Sequence, residues 1–137
     1  MTFLDTNVLA YSVDNRDVAK QKVAKSIILA ARSSADFVMS AQVLNEFSNV
    51  AIKKLGKTRA EVMGFVKLYK TIRTLPIKPE WTVPALEIMD RYGIQFYDAL
   101  IVAAAESAGC DEIMTEDLND GQIYGSVKAV NPFKDFE

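Results

Sequence analysis

Short apolar segments, too brief to be helices, alternate along this chain with longer stretches whose apolar residues recur every three to four positions. That alternation constrains the fold more than any single motif. Residues 2–4, 37–39, 74–77, 112–115 and 127–130 read as strands. A helix is expected over 7–13 and another over 16–31, where Val18, Val23, Ala24, Ile27, Ile28 and Ala31 share one face. Ser40 is placed as the cap of a third helix, whose stripe of Val43, Leu44, Phe47, Val50, Ala51 and Leu55 runs to a stop at Gly56. Thr58 and Glu61 form a capping-box pattern opening a fourth helix. Residues 84–92 and 97–108 complete the set, stopped by Gly93 and Gly109. Strands interleaved with helices imply a mostly parallel sheet covered on both faces, with ligands at the carboxyl ends of the strands.

With 137 residues, half of them hydrophobic, the chain suffices for one domain, expected over 1–137. The longest strongly apolar run, 99–105, falls far short of the roughly 20 residues of a membrane span. The opening MTFLDTNVLAYSVD has no basic lead and meets an acid at Asp5, so a cytoplasmic protein is expected. A lone cysteine, Cys110, excludes an internal disulfide and a Cys-rich zinc site. The chain has no histidine, which removes Ser-His and Cys-His nucleophiles and mixed His/Cys zinc sites. Catalysis, if present, must run on carboxylates, hydroxyls, amides, Lys and Arg with a borrowed ion.

Charge is unevenly spread. Residues 53–78 hold eight basic side chains against Glu61 alone, and from Glu80 onward twelve acids face Arg91, Lys128 and Lys134. A polyanion-binding surface beside a cation-binding one fits that asymmetry, as does a pair of ordinary solvated helix faces. Several acids fall at one edge of the expected sheet. Asp5 leaves the first strand, Asp98 opens an apolar helix, Asp117 follows the strand ending at Thr115, and Glu46 borders the buried stripe of the third helix with Gln42, Asn49 and Lys53. Singly, Asp5 and Asp98 could serve helix termini and Asp117 and Asp120 a turn. Together, like charges at close range call for a hard cation, and all-oxygen ligation selects Mg²⁺ or Mn²⁺.

LDTNVL, LNEF, YDALIVAAA and TEDLNDG, in this order and spacing, resemble the PIN-domain family, most closely its toxin branch, the VapC-type ribonucleases. The resemblance implies an α/β/α sandwich and an endoribonuclease dependent on Mg²⁺ or Mn²⁺, with dimers, an RNA substrate and inhibition by a cognate antitoxin. It implies metal-binding or catalytic carboxylates at Asp5, Glu46, Asp98 and Asp117, with Thr6, Asn7 and Thr115 as supporting groups. Either Asp117 or Asp120 supplies the last ligand; Asp117 is favoured, with Asp120 in an outer supporting place. Lys53, Lys54, Lys57 and Arg59 are expected to hold RNA through phosphates, with Lys53 pointing to the same cleft as Glu46. Failing these, the RNA path would lie among Arg16, Lys20, Lys22 and Lys25.

AIKKLGKT, residues 51–58, satisfies a loose P-loop pattern, but Ala51 and Leu55 continue a helix stripe where a glycine-rich turn is required. Asp5-Thr6-Asn7 is also similar to the opening of aspartyl-phosphate phosphatases, with Asn7 in place of their second aspartate. An inactive RNA- or antitoxin-binding module is the third reading. Its mark would be a missing carboxylate, and none is missing.

Overall fold

A computed structural model describes residues 1–136; Glu137, the end of the expected domain, lies outside them. The strands are β1 (Thr2–Leu4), β2 (Phe37–Ser40), β3 (Thr74–Leu75), β4 (Glu112–Met114), β5 (Ile123–Tyr124) and β6 (Val127–Val130). The helices are α1 (Thr6–Ser12), α2 (Val18–Ser33), α3 (Ala41–Lys53), α4 (Arg59–Tyr69), α5 (Thr82–Tyr92) and α6 (Phe96–Ser107). One sheet runs β3-β2-β1-β4-β6-β5, parallel throughout except for the antiparallel β5–β6 pair. The alternating pattern therefore delivers the mostly parallel sheet it implies, flanked by helices.

β1 lies at the centre because it is short, apolar and buried on both faces, with Phe3 and Leu4 wholly covered. On one side Phe3 aligns with Val38, on the other with Ile113. Continued by two residues, that register sets Ser40, Asp5 and Thr115 abreast at the carboxyl edge. Helix α6 has an apolar run because it is enclosed: residues 99–105 are all buried. Helix α3 buries the expected stripe only on one side, with Val43, Phe47 and Ala51 inward.

The capping box of Thr58 and Glu61 forms in full, with Thr58 Oγ1 accepting from the Glu61 amide at 3.1 Å and Glu61 Oε1 from the Thr58 amide at 2.9 Å. Such a cap contributes about 1 kcal/mol to its helix. Several boundaries differ from those expected. Helix α5 starts at Thr82, two residues before Pro84, because the first turn of a helix has no internal acceptor for its N–H groups and tolerates a proline. Ser40 occupies the N-cap position of α3 but makes no capping hydrogen bond. Helix α3 ends at Lys53, ahead of Gly56. The two-residue β5 has no periodicity to betray it and was not expected.

Candidate metal centre and adjoining cleft

The edge where β1 and β4 end gathers three carboxylates. One oxygen from each of Asp5, Asp98 and Asp117 lies within 4.8 Å of the others. Asp5 is 5% exposed and caps α1: Thr6 N donates to its Oδ1 at 2.7 Å, and Thr115 Oγ1 to its Oδ2 at 2.8 Å. Burial, despite those two bonds, pushes its pKa up to about 7, with smaller contributions from Asp117 and Asp98. Asp98, in the first turn of α6, is pushed up to about 6 by burial, then by the charges of Asp117 and Glu46. Asp117 is exposed and aimed by Asn7, whose Nδ2 donates to its Oδ2 at 3.2 Å, while its own amide donates to Thr115 Oγ1 at 3.0 Å.

Glu46 stands beside this trio rather than within it. Its Oε2 accepts from Thr6 Oγ1 at 2.9 Å and its Oε1 from Gln42 Nε2 at 2.8 Å. Gln42 also donates to the Tyr97 carbonyl at 3.2 Å, tying α3 to the start of α6. Thr6, Asn7 and Thr115 are thus the hydrogen-bonding frame of three of the four expected carboxylates, Asp5, Glu46 and Asp117. Asp120 is elsewhere: its Oδ1 accepts from the Asn131 amide at 2.8 Å and its Oδ2 from Lys134 Nζ at 3.3 Å. Those bonds hold the turn after β6, and the geometry favours Asp117 over Asp120 for the last ligand place.

A divalent ion fits this donor set. Three uncompensated carboxylates within a few ångströms repel unless a cation or protons neutralise them. Among the described residues, the two buried side-chain polar atoms without a hydrogen-bond partner are Asn7 Oδ1 and Ser40 Oγ; the sheet register sets Ser40 at this edge, and the bonds of Asn7 to Thr115 and Asp117 set Asn7 there. Buried polar atoms left open in this way call for water or an ion's hydration shell.

A cleft of about 510 Å³ leads away from Glu46 and Asp117 between α1 and the end of α3. Arg16 and Lys54 line it; Lys53 does not, and Arg59 lines a separate groove between α3 and α4. Lys53, expected beside Glu46, is exposed as the last residue of α3. Lys54 is the C-cap of α3, just past its last helical residue, and it lines the cleft together with Leu55 of the segment that follows. Ala51 is buried in α3 and residues 51–53 are its last turn, so the P-loop pattern opens inside a helix and does not follow a strand.

Sequence reasoning missed a second network on the cleft wall. Tyr11 Oη donates to Glu116 Oε1 at 2.8 Å, and Lys20 Nζ, 8% exposed as a residue, reaches Tyr11 Oη at 3.3 Å and Glu116 Oε2 at 3.4 Å. Burial, followed by Glu116, pushes the Tyr11 phenol upward, so it keeps its proton and donates. Only the position of Glu116 beside Asp117 in TEDLNDG hinted at it.

The family model described as PIN domain matches residues 2–122, nearly the whole of this arrangement. The chain belongs to the PIN domain family. Solved structures share its architecture at low identity. VapC20 of Mycobacterium tuberculosis, described as a sarcin-ricin-loop-cleaving toxin, is 18% identical with a TM-score of 0.68, over 82% of this chain and 87% of its own. A toxin-antitoxin complex from Klebsiella pneumoniae is 20% identical with a TM-score of 0.67, over 96% and 98%. VapBC2 of Rickettsia felis, bound to a promoter DNA fragment, is 16% identical with a TM-score of 0.67, over 93% and 96%. No curated protein sequence matches this PIN chain. No helix among the described residues is long and apolar enough to cross a membrane.

Proposed function

We propose that this PIN-domain chain is a divalent-metal-dependent endoribonuclease and the toxin of a toxin-antitoxin pair. The convergence of Asp5, Asp98 and Asp117 within 4.8 Å carries the reading. Asp5, Asp98 and Asp117 would hold Mg²⁺ or Mn²⁺, with Glu46 alongside. When bound, the ion would offset the carboxylate charge and polarise a phosphodiester and an attacking water. The chain's own part is to fix geometry. Thr115 and Thr6 set both oxygens of Asp5, Asn7 aims Asp117, and Gln42 and Thr6 hold Glu46 from either side. Hydrolysis then adds water across one P–O bond, with no covalent enzyme intermediate. Asp5 is poorly placed as a covalent nucleophile, since both its oxygens accept hydrogen bonds and it is 5% exposed. The toxin role and a protein antitoxin partner are drawn from the VapC and VapBC proteins that share the fold.

The test is cleavage of RNA by the purified chain with Mg²⁺ or Mn²⁺, compared with the chelated protein and with Asp98→Asn. Metal-dependent cuts that the variant fails to make are expected. A parent inert on RNA that turns over a phosphomonoester and forms a beryllofluoride adduct at Asp5 would overturn the assignment.

A further inference from the structure

The end of the cleft remote from the carboxylates has a different chemistry. Arg16, Asn49 and Lys54 line it over an apolar strip of Ala10, Val50 and Leu55. Arg16 is fixed there by a fork of two bonds to Asp14, Nε to Oδ1 at 2.9 Å and Nη2 to Oδ2 at 2.9 Å, while its own amide donates to Asp14 Oδ1 at 3.0 Å. Asp14 is largely covered, with 10% of its side chain exposed, whereas 72% of the Arg16 side chain stays open. Such a bidentate pair holds a long side chain in one orientation, so little further ordering is needed when a ligand meets it. It also offsets most of the arginine's charge. An arginine meant only to attract phosphate would be better left unpaired; one held by a carboxylate offers its flat face.

Its two neighbours divide the remaining tasks. The Lys54 ammonium has no ion-pair partner among the described residues and supplies uncompensated charge. The Asn49 amide is exposed, makes no hydrogen bond among the described residues and can both give and take one.

We propose that this end of the cleft binds one unpaired nucleobase of a single-stranded RNA, stacked on the Arg16 guanidinium. The proposal rests on the ribonuclease reading for what lies at the carboxylates: the neighbouring phosphate. A base inside a duplex has both faces covered, so only a splayed-out base can use this platform. Asn49 meets the polar edge of the base and Lys54 the next phosphate, while Val50 and Leu55 exclude water from the ring.

The experiment scans a single abasic site along a short single-stranded RNA and measures affinity for the Asp98→Asn protein, which does not consume the probe. The same scan is repeated with Arg16→Lys added, a change that keeps the charge and loses the plane. The expected result is one position at which losing the base weakens binding by roughly tenfold, a loss that disappears in the lysine variant. A scan without any sensitive position overturns the proposal, as does a sensitive position that Arg16→Lys leaves unchanged. Uniform weakening along the RNA in the lysine variant overturns it too, because it makes Arg16 a phosphate contact. Cleavage by the parent protein in Mg²⁺ or Mn²⁺, measured separately, tells the two readings apart. A parent that cuts but shows no sensitive base loses only the subsite, and one that shows the sensitive base without cutting loses only the nuclease assignment.

Discussion

The Tyr11 hydroxyl on α1 donates a 2.8 Å hydrogen bond to Glu116, a residue 105 positions later and adjacent to Asp117. Lys20 on α2 closes the ring from the other carboxylate oxygen at 3.4 Å. Two helices thus brace the short segment between β4 and β5 that carries an exposed metal-binding candidate.

If that brace sets the aim of Asp117, Glu116→Gln should weaken activation by Mg²⁺ or Mn²⁺ by about tenfold, the scale of lost outer partners around metal ligands. Tyr11→Phe should follow in the same direction. RNA affinity should hold in both. A metal titration of cleavage beside an RNA binding curve checks the split; equal loss in both would make the network a general structural support.

Asp98→Asn should abolish cleavage and leave the metal-free protein as stable or more so, because it removes one charge from a crowded half-buried group. A melting curve in chelator beside an RNA assay measures both. A sharply lower melting temperature would assign Asp98 to the terminus of α6 instead.

The raised carboxyl values give the metal-free protein a signed pH dependence. Asp5 at about 7 and Asp98 at about 6 bind their protons more tightly folded than unfolded. The contribution of these two groups to stability is therefore greatest below pH about 4, near the unfolded value, and is lost as pH rises through the folded values. Melting temperature should drop between pH 5 and pH 8 without metal, the drop should shrink on adding Mg²⁺ or Mn²⁺, and Asp5→Asn should flatten it. A flat profile in the chelated parent would contradict this.

Lys54→Ala should lower RNA affinity and flatten the log-log salt dependence by about 0.7, one single-strand phosphate contact, whereas Lys53→Ala should do neither. The contrast follows from Lys54, but not Lys53, lining the cleft. Salt titrations of binding distinguish the two.

The fold was legible because its signals are local: periodicity, a capping box, and glycines such as Gly93, whose φ of 67° ends α5 in the left-handed region. The carboxylates were legible because Asp5 and Asp117 sit at strand ends, where topology alone brings them together. Asp120 and Asp117 were not separable from the turn sequence, since only the bonds from Asn131 and Lys134 show where Asp120 is engaged. The Tyr11–Lys20–Glu116 ring and the Asp14–Arg16 fork join residues by their side-chain geometry, which no spacing rule reports. The place of Lys54 was not legible because it is the C-cap of α3, just past the row of Glu46 and Lys53, where helical spacing no longer gives a side chain's direction.

The central place of β1, between β2 and β4, also bears on how the chain is made. Asp5 is synthesised 112 positions before Asp117, its partner across the site. A product of stalled or truncated translation that lacks β4 carries Asp5, Glu46 and even Asp98 without the strand that brings them into register. Assembly of the three-aspartate centre therefore waits for β4 and the segment that follows it, however early the other carboxylates are made.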